Sequence, residues 1–252
     1  MQYYFAPLEG FTGSVYRRVH YAHFPGLDKY FTPFMVTTQN FAMPPRDLRE
    51  TAPEHNAGIT LVPQVLTKEP GQFVWMAENM ARLGYREINL NLGCPSATVV
   101  PKGKGSAMLR DPAALHHFFA ETFRLLKHPE IRVSVKTRLG FSDPEEAREL
   151  IRVFNDFSFS ELIIHARTQQ DFYQGPVRRD SFLEMAAQSR NPVVYNGDIR
   201  CAADCETLVR QCPELSAVMI GRGLLINPAL VREITGGRSL EKEEYRIFLA
   251  EL

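Results

Sequence analysis

Residues 132–165 read RVSVKTRLGFSDPEEARELIRVFNDFSFSELIIH, and this stretch decides the fold. Val133-Ser134-Val135-Lys136 alternates apolar and polar side chains, which is the period of a strand. Ser142-Asp143-Pro144-Glu145-Glu146 then opens a helix, with acids in the first turn, at the positive end of the helix dipole. A second apolar run, Glu161–His165, follows. Strand, helix and strand in this order imply parallel pairing through a right-handed crossover.

The same unit repeats in both directions along the chain. Strands are predicted at Tyr3–Ala6, Lys29–Thr32, Leu61–Val65, Glu87–Asn91, Arg132–Lys136, Glu161–His165, Pro192–Asn196 and Ala217–Ile220. Helices are predicted over Pro70–Leu83, where Phe73, Met76, Ala77, Met80 and Leu83 recur at spacings of three and four, and from Asp111-Pro112 to Lys127, with Asp as cap and Pro in the first turn. The prolines at 33, 44, 45 and 53 make residues 34–54 read as loop rather than helix. Eight such units in about 230 residues predict an α/β fold of the (β/α)8 TIM-barrel type. The alternative, an open doubly wound sheet, lacks a Gly-x-Gly-x-x-Gly after the first strand. Residues 1–234 are assigned to the barrel. Thr235-Gly236-Gly237-Arg238 breaks the chain, and residues 235–252 are read as a partial C-terminal helical segment.

Composition narrows the function classes. The 252 residues carry 29 Lys+Arg against 29 Asp+Glu, so no global charge attracts nucleic acid or acidic lipid, and a polyanion would need a local patch. Four cysteines do not make a disulfide framework. The N-terminus has no signal-peptide pattern, and no apolar run is long enough to span a membrane. The expectation is a cytoplasmic, monomeric protein with no membrane or metal partner.

In a barrel of this kind, function gathers at the C-terminal ends of the strands. The unusual residues fall there. Gly197 follows the seventh strand, and Gly221-Arg222-Gly223 follows the eighth, where backbone N–H groups and a guanidinium can converge on a phosphate. Lys136 ends the fifth strand and points into the barrel mouth, either as half of an ion pair or as a fixed cation for a cofactor that gains negative charge. Cys94, between Gly93 and Pro95, sits on the loop after the fourth strand as a mostly protonated thiol, able to donate a proton or to act as a nucleophile. His165 ends the sixth strand beside Arg167. Cys201, Cys205 and Cys212 do not have the spacing of a four-ligand zinc site and are read as helix packing. His20, His23, His116 and His117 are read as solvated helix positions.

Seven motifs then occur in order: residues 6–12 APLEGFT, 88–95 INLNLGCP, 102–107 KGKGSA, 133–140 VSVKTRLG, 164–168 IHART, 196–199 NGDI and 220–223 IGRG. In this set the chain resembles the tRNA-dihydrouridine synthase family, FMN-dependent enzymes built on a TIM barrel. The resemblance implies NADPH- or NADH-linked reduction of the C5–C6 double bond of a uridine in tRNA, with hydride delivered to C6 from reduced FMN and a proton from Cys94 to C5. It implies that Pro7, Leu8 and Glu9 line the flavin, that Gln64 bonds its ring edge, and that Lys136 lies near its N1 and O2. It places His165, Asn196, Gly197, Asp198, Gly221 and Arg222 on the phosphate side. Asn91 is implied to orient the uracil, and Lys102, Arg138 and Arg167 to contact RNA. Lys104, Arg110, Arg178, Arg179 and Arg200 are further candidates for a local basic patch. Family members usually have an acid where Asn89 stands, and a C-terminal helical domain that grips tRNA. The alternative reading is an FMN-dependent oxidoreductase of a small-molecule pyrimidine or enone.

Overall fold

In the computed structural model, which describes residues 1–252, the chain forms ten strands and ten α-helices. The strands are β1 (Gln2–Phe5), β2 (Lys29–Phe31), β3 (Met35–Val36), β4 (Leu61–Val62), β5 (Gln64–Leu66), β6 (Glu87–Asn91), β7 (Arg132–Gly140), β8 (Leu162–Thr168), β9 (Val193–Asn196) and β10 (Ala217–Ile220). The helices are α1 (Ser14–His23), α2 (Pro45–Thr51), α3 (Pro70–Arg82), α4 (Pro112–Leu125), α5 (Ala147–Asn155), α6 (Arg179–Ala187), α7 (Ala202–Gln211), α8 (Arg222–Ile226), α9 (Leu230–Ile234) and α10 (Lys242–Ala250).

Every pairing is parallel, and β10 pairs back onto β1, so the sheet closes. The ten strands form eight staves, because the second and third are each broken once. β2 pairs with β4 and β3 with β5. Between β4 and β5 stands Pro63, which has no N–H to give the ladder, although its carbonyl accepts from the Asn89 N–H. The Thr32 side chain takes the Gln64 N–H at the same level. The predicted TIM barrel is therefore the observed architecture, with all eight predicted strands present. The segment read as loop contains a short helix, α2, for which Pro45 sits in the first turn, where a missing N–H costs nothing.

The helix signals act as read. Asp111 accepts from the Ala114 N–H at the start of α4, and Asp143 with Glu146 forms a capping box in the turn that leads into α5. Outward-facing strand residues such as Ile88, Leu90, Val133 and Val135 pack under the helices in a core of 42 buried residues. Inward-facing residues alternate with them. One side of the interior is apolar, with Tyr4, Ala6, Phe31, Val62, Ile163, Val194, Ala217 and Met219. The other side is polar. There β6 turns Glu87, Asn89 and Asn91 inward, and β7 turns Ser134, Lys136 and Arg138 inward.

At the N-terminal end of the barrel, Lys29 bridges Glu87 and Glu161, each at 2.9 Å, and the Tyr4 hydroxyl donates to Glu161. This buried network occupies the end away from the loops that follow the strands. His20 departs from the sequence reading. It is buried on α1, its Nε2–H donating to the Pro228 carbonyl at 3.0 Å and its Nδ1 accepting from the Tyr30 hydroxyl at 2.8 Å. Burial lowers its pKa to about 4, so the ring is a neutral tie between α1, β2 and the chain before α9. His116, by contrast, is exposed. The C-terminal α10 lies against α1, with Phe248 packed among Val19, Phe24 and Ala229.

Candidate active site

A cleft of about 290 Å³ opens at the C-terminal ends of the strands. Pro7, Leu8, Glu9, Gln64, Lys136, His165, Asn196, Gly197, Asp198, Gly221 and Arg222 all line it, as do Asn91, Cys94 and Arg138. Alternation along the strands explains this. In β7, Lys136 and Arg138 share the inward face with Ser134, and in β8 His165 and Arg167 share it with Ile163.

On the cleft floor four side-chain amide and hydroxyl groups form a continuous relay. Asn89 donates to Ser134 Oγ at 2.9 Å and accepts from Gln64 Nε2 at 2.8 Å. Gln64 Oε1 accepts from Asn91 Nδ2 at 2.8 Å. Asn91 Oδ1 then accepts from the backbone N–H groups of Gly93 and Cys94, at 3.0 and 2.9 Å. Both ends of the Asn91 amide are thus engaged, and its first duty is to hold the Cys94 loop. The loop is also tied by Ser106, whose Oγ–H donates to the Cys94 carbonyl at 2.8 Å, and by Arg138, whose Nε donates to the Gly93 carbonyl at 2.6 Å. Gly105 lets the chain come this close: at φ +60, a Cβ there would stand 2.9 Å from the Cys94 carbonyl oxygen. Burial pushes the Cys94 thiol up from its ordinary pKa, so it keeps its proton at neutral pH.

Lys136 stands across the cleft. Its ammonium donates to Asn196 Oδ1 at 2.9 Å and has no carboxylate partner, and Asn196 is itself oriented by donating to the Met219 carbonyl. Desolvation lowers the Lys136 pKa to about 7, with Arg138 adding to the effect. Of the two alternatives, the ion pair is absent: the only hydrogen-bond partner of the Lys136 amine is an amide oxygen.

At the seventh and eighth strands, Asp198 gathers three guanidiniums. It accepts from Arg167 at 2.8 Å, Arg222 at 2.6 Å and Arg200 at 3.4 Å. Partial burial raises the Asp198 pKa, but Arg167 and Arg222 outweigh it and hold the carboxyl below its ordinary range. The N–H groups that open α8 have no partner inside the helix. Gly223 is required there, since a Cβ would fall 2.2 Å from the Ile199 carbonyl. His165 accepts at Nε2 from Arg167, which can only donate, so its proton is on Nδ1. Burial and the surrounding cations drive its pKa well below 6.5, so it is neutral. Tyr173 stacks on its ring, with centroids 6.2 Å apart.

Two of the four residues assigned to substrate need correction. Arg138 is 1% exposed and Arg167 3%, and neither is free for an external phosphate. Besides Gly93, Arg138 donates to the Thr168 and Phe172 carbonyls; Arg167 donates to Gly175 and Asp198. Lys102 is exposed but does not line the cleft. Of the wider patch, Arg178 is paired with Asp171, Arg200 with Asp198, and Arg110 lies over the Phe141 ring. Sequence reading missed Asn89 and Ser134 as parts of the site; their inward register in a polar strand face was the available signal. No group of three His, Cys, Asp or Glu residues is placed to hold a metal ion. No helix is long and apolar enough to cross a membrane.

A closed parallel barrel with a polar cleft at the C-terminal ends of its strands defines the class of TIM-barrel enzymes. Solved structures agree on the fold: morphinone reductase aligns over 97% of this chain and 88% of its own, with TM-score 0.64 at 12% identity. Residues 4–247 match the family described as dihydrouridine synthase (Dus). A tRNA-dihydrouridine(16) synthase from Aquipseudomonas alcaligenes is 31% identical over 97% of this chain and 78% of its own length. One from Pseudomonas syringae is 32% identical over 96% and 77%. A tRNA-dihydrouridine synthase B from Pasteurella multocida is 28% identical over 91% and 67%. The chain belongs to the dihydrouridine synthase family, a family of flavin-dependent oxidoreductases.

Proposed function

We propose that the chain is a tRNA-dihydrouridine synthase that uses FMN, recharged by NADPH or NADH, to saturate the C5–C6 bond of a uridine in tRNA. The names of the relatives make position 16 the first uridine to test. The observation that carries the reading is the presence, in one cleft, of a Lys136 amine with no carboxylate partner and a protonated thiol at Cys94.

The residues present fit FMN. The Asp198 cluster holds three guanidiniums to one carboxylate, a local surplus of positive charge suited to a phosphate. Lys136 has room for an anionic ring edge, with only an amide oxygen now on it. His165, Asn196, Gly197, Asp198, Gly221 and Arg222 hold the phosphate end in this proposal, and Pro7, Leu8, Glu9 and Gln64 face the ring. When bound, FMN supplies the hydride. The chain's own residues do the rest. Lys136, with its pKa lowered to about 7, holds its proton more firmly once negative charge lies beside it. The relay from Ser134 to Asn91 fixes both the Gln64 amide and the loop that carries Cys94. The Cys94 thiol holds its proton until C5 of the uracil can accept it. The uridine must leave its stack to enter the cleft. Lys102, outside the cleft, is assigned to an RNA phosphate.

The test is incubation of the FMN-loaded protein with unmodified tRNA and NADPH or NADH, followed by mass spectrometry for the two-hydrogen gain on uridine. An FMN-loaded protein that leaves tRNA unchanged, yet reduces free uracil or a cyclic enone, would replace this reading with the small-molecule one.

A further inference from the structure

A second hollow, about 760 Å³, adjoins the cleft on the side of the first two staves. It runs between the loop after β1, α1 and α2, and Leu252 also lines it. Glu9 and Pro33 line both hollows, so the groove and the cleft are neighbours that share a wall.

Its charge differs from that of the opposite rim. There the rim arginines have carboxylate contacts: Arg178 has Asp171 to itself, and Arg167, Arg200 and Arg222 share Asp198. In the groove, Arg18 and Arg49 are exposed, and neither has a carboxylate partner. Arg46 pairs only with Glu9, at 2.7 Å, both side chains being about half exposed. Such a surface pair is weak and readily exchanged for another anion. The remaining acid, Glu50, is already engaged by buried Arg17 and the Ser14 N–H. Phe11 lines the same groove and is 65% exposed, which leaves a ring face open. Unpaired arginines beside an exposed aromatic ring match the two features of single-stranded nucleic acid, its phosphates and its base faces.

We propose that this groove carries the RNA strand flanking the target uridine, with Arg18, Arg46 and Arg49 on its phosphates and Phe11 beneath a neighbouring base. The inference rests on the tRNA reading above and adds to it the path by which RNA approaches.

The test measures binding of an unmodified tRNA transcript to the FMN-loaded protein over a range of salt. The double variant R18A/R49A is compared with R152A/R210A, which removes the same charge from exposed positions on α5 and α7. Loss of two phosphate contacts should flatten the plot of log affinity against log salt by about 1.4 and raise Kd about tenfold or more near 0.1 M salt. F11A should raise Kd about fivefold or more with the salt slope unchanged. FMN content and NADPH oxidation without RNA should stay at wild-type values in all three. If wild type modifies tRNA and R18A/R49A binds it with unaltered affinity and slope, the groove assignment is overturned while the tRNA reading stands. If R152A/R210A weakens binding equally, the effect is general charge and the assignment is again overturned. A wild-type protein with no affinity for tRNA would remove both.

Discussion

Replacing Lys136 by methionine should make the cofactor-free protein more stable, and the gain should shrink as the pH rises. Folding lowers the lysine pKa from 10.5 to about 7. Between those values the unfolded chain holds a proton that the folded chain has released, so the wild type gains stability with increasing pH. Linkage over this interval gives a ceiling of about 2 kcal/mol between pH 7 and 9. Lys136 borders an open cleft, where water screens part of the desolvation, so about 1 kcal/mol is expected. The methionine variant has no such term. Other groups, such as Glu161 at the far end of the barrel, titrate alike in both proteins and cancel in the difference. Urea unfolding of the flavin-free proteins at several pH values measures it. A constant difference between variant and wild type from pH 7 to 9 would show that the amine is not desolvated and would refute its reading as a buried lysine without a counter-charge. The same variant should lose activity, as expected where a destabilised group serves function.

Cys94→Ala should retain flavin while product formation falls about 10²–10⁴-fold, the usual contribution of a general acid, as read by dihydrouridine yield per unit time. Asn91→Ala leaves two backbone N–H groups without their acceptor and should cost about 1–3 kcal/mol in urea unfolding. It should also speed alkylation of Cys94, because the loop loses one of its three ties. Phe248→Ala should cost about 3–5 kcal/mol, since the ring fills the contact between α10 and α1; denaturant midpoints will show it, and an unchanged midpoint would mean that α10 is not part of the cooperative unit.

Strand positions were legible because each stave has a short apolar run, and an inward lysine such as Lys136 follows from alternation alone. The breaks at Pro63 and between β2 and β3 were only half visible: proline marks an interruption, but not that a neighbouring threonine side chain takes over the ladder. Charge was the least legible quantity. Arg138 and Arg167 read as surface cations because sequence gives no partner list; three-dimensional packing gave them carbonyls and a carboxylate from distant loops. His20 failed for the same reason, since its partners lie 10 and 208 residues away. Asn89 was noted only as a departure from the usual acid, and Ser134 not at all, because neutral polar residues carry no chemistry until their neighbours are known.

The three-to-one arrangement around Asp198 has a practical consequence at the bench. A corner with that much uncompensated cation will recruit whatever small oxyanion the medium offers. Cofactor titrations run in phosphate or sulfate buffers will therefore report weaker binding than the same titrations in chloride, and protein stripped of flavin should be dialysed accordingly before any affinity is measured.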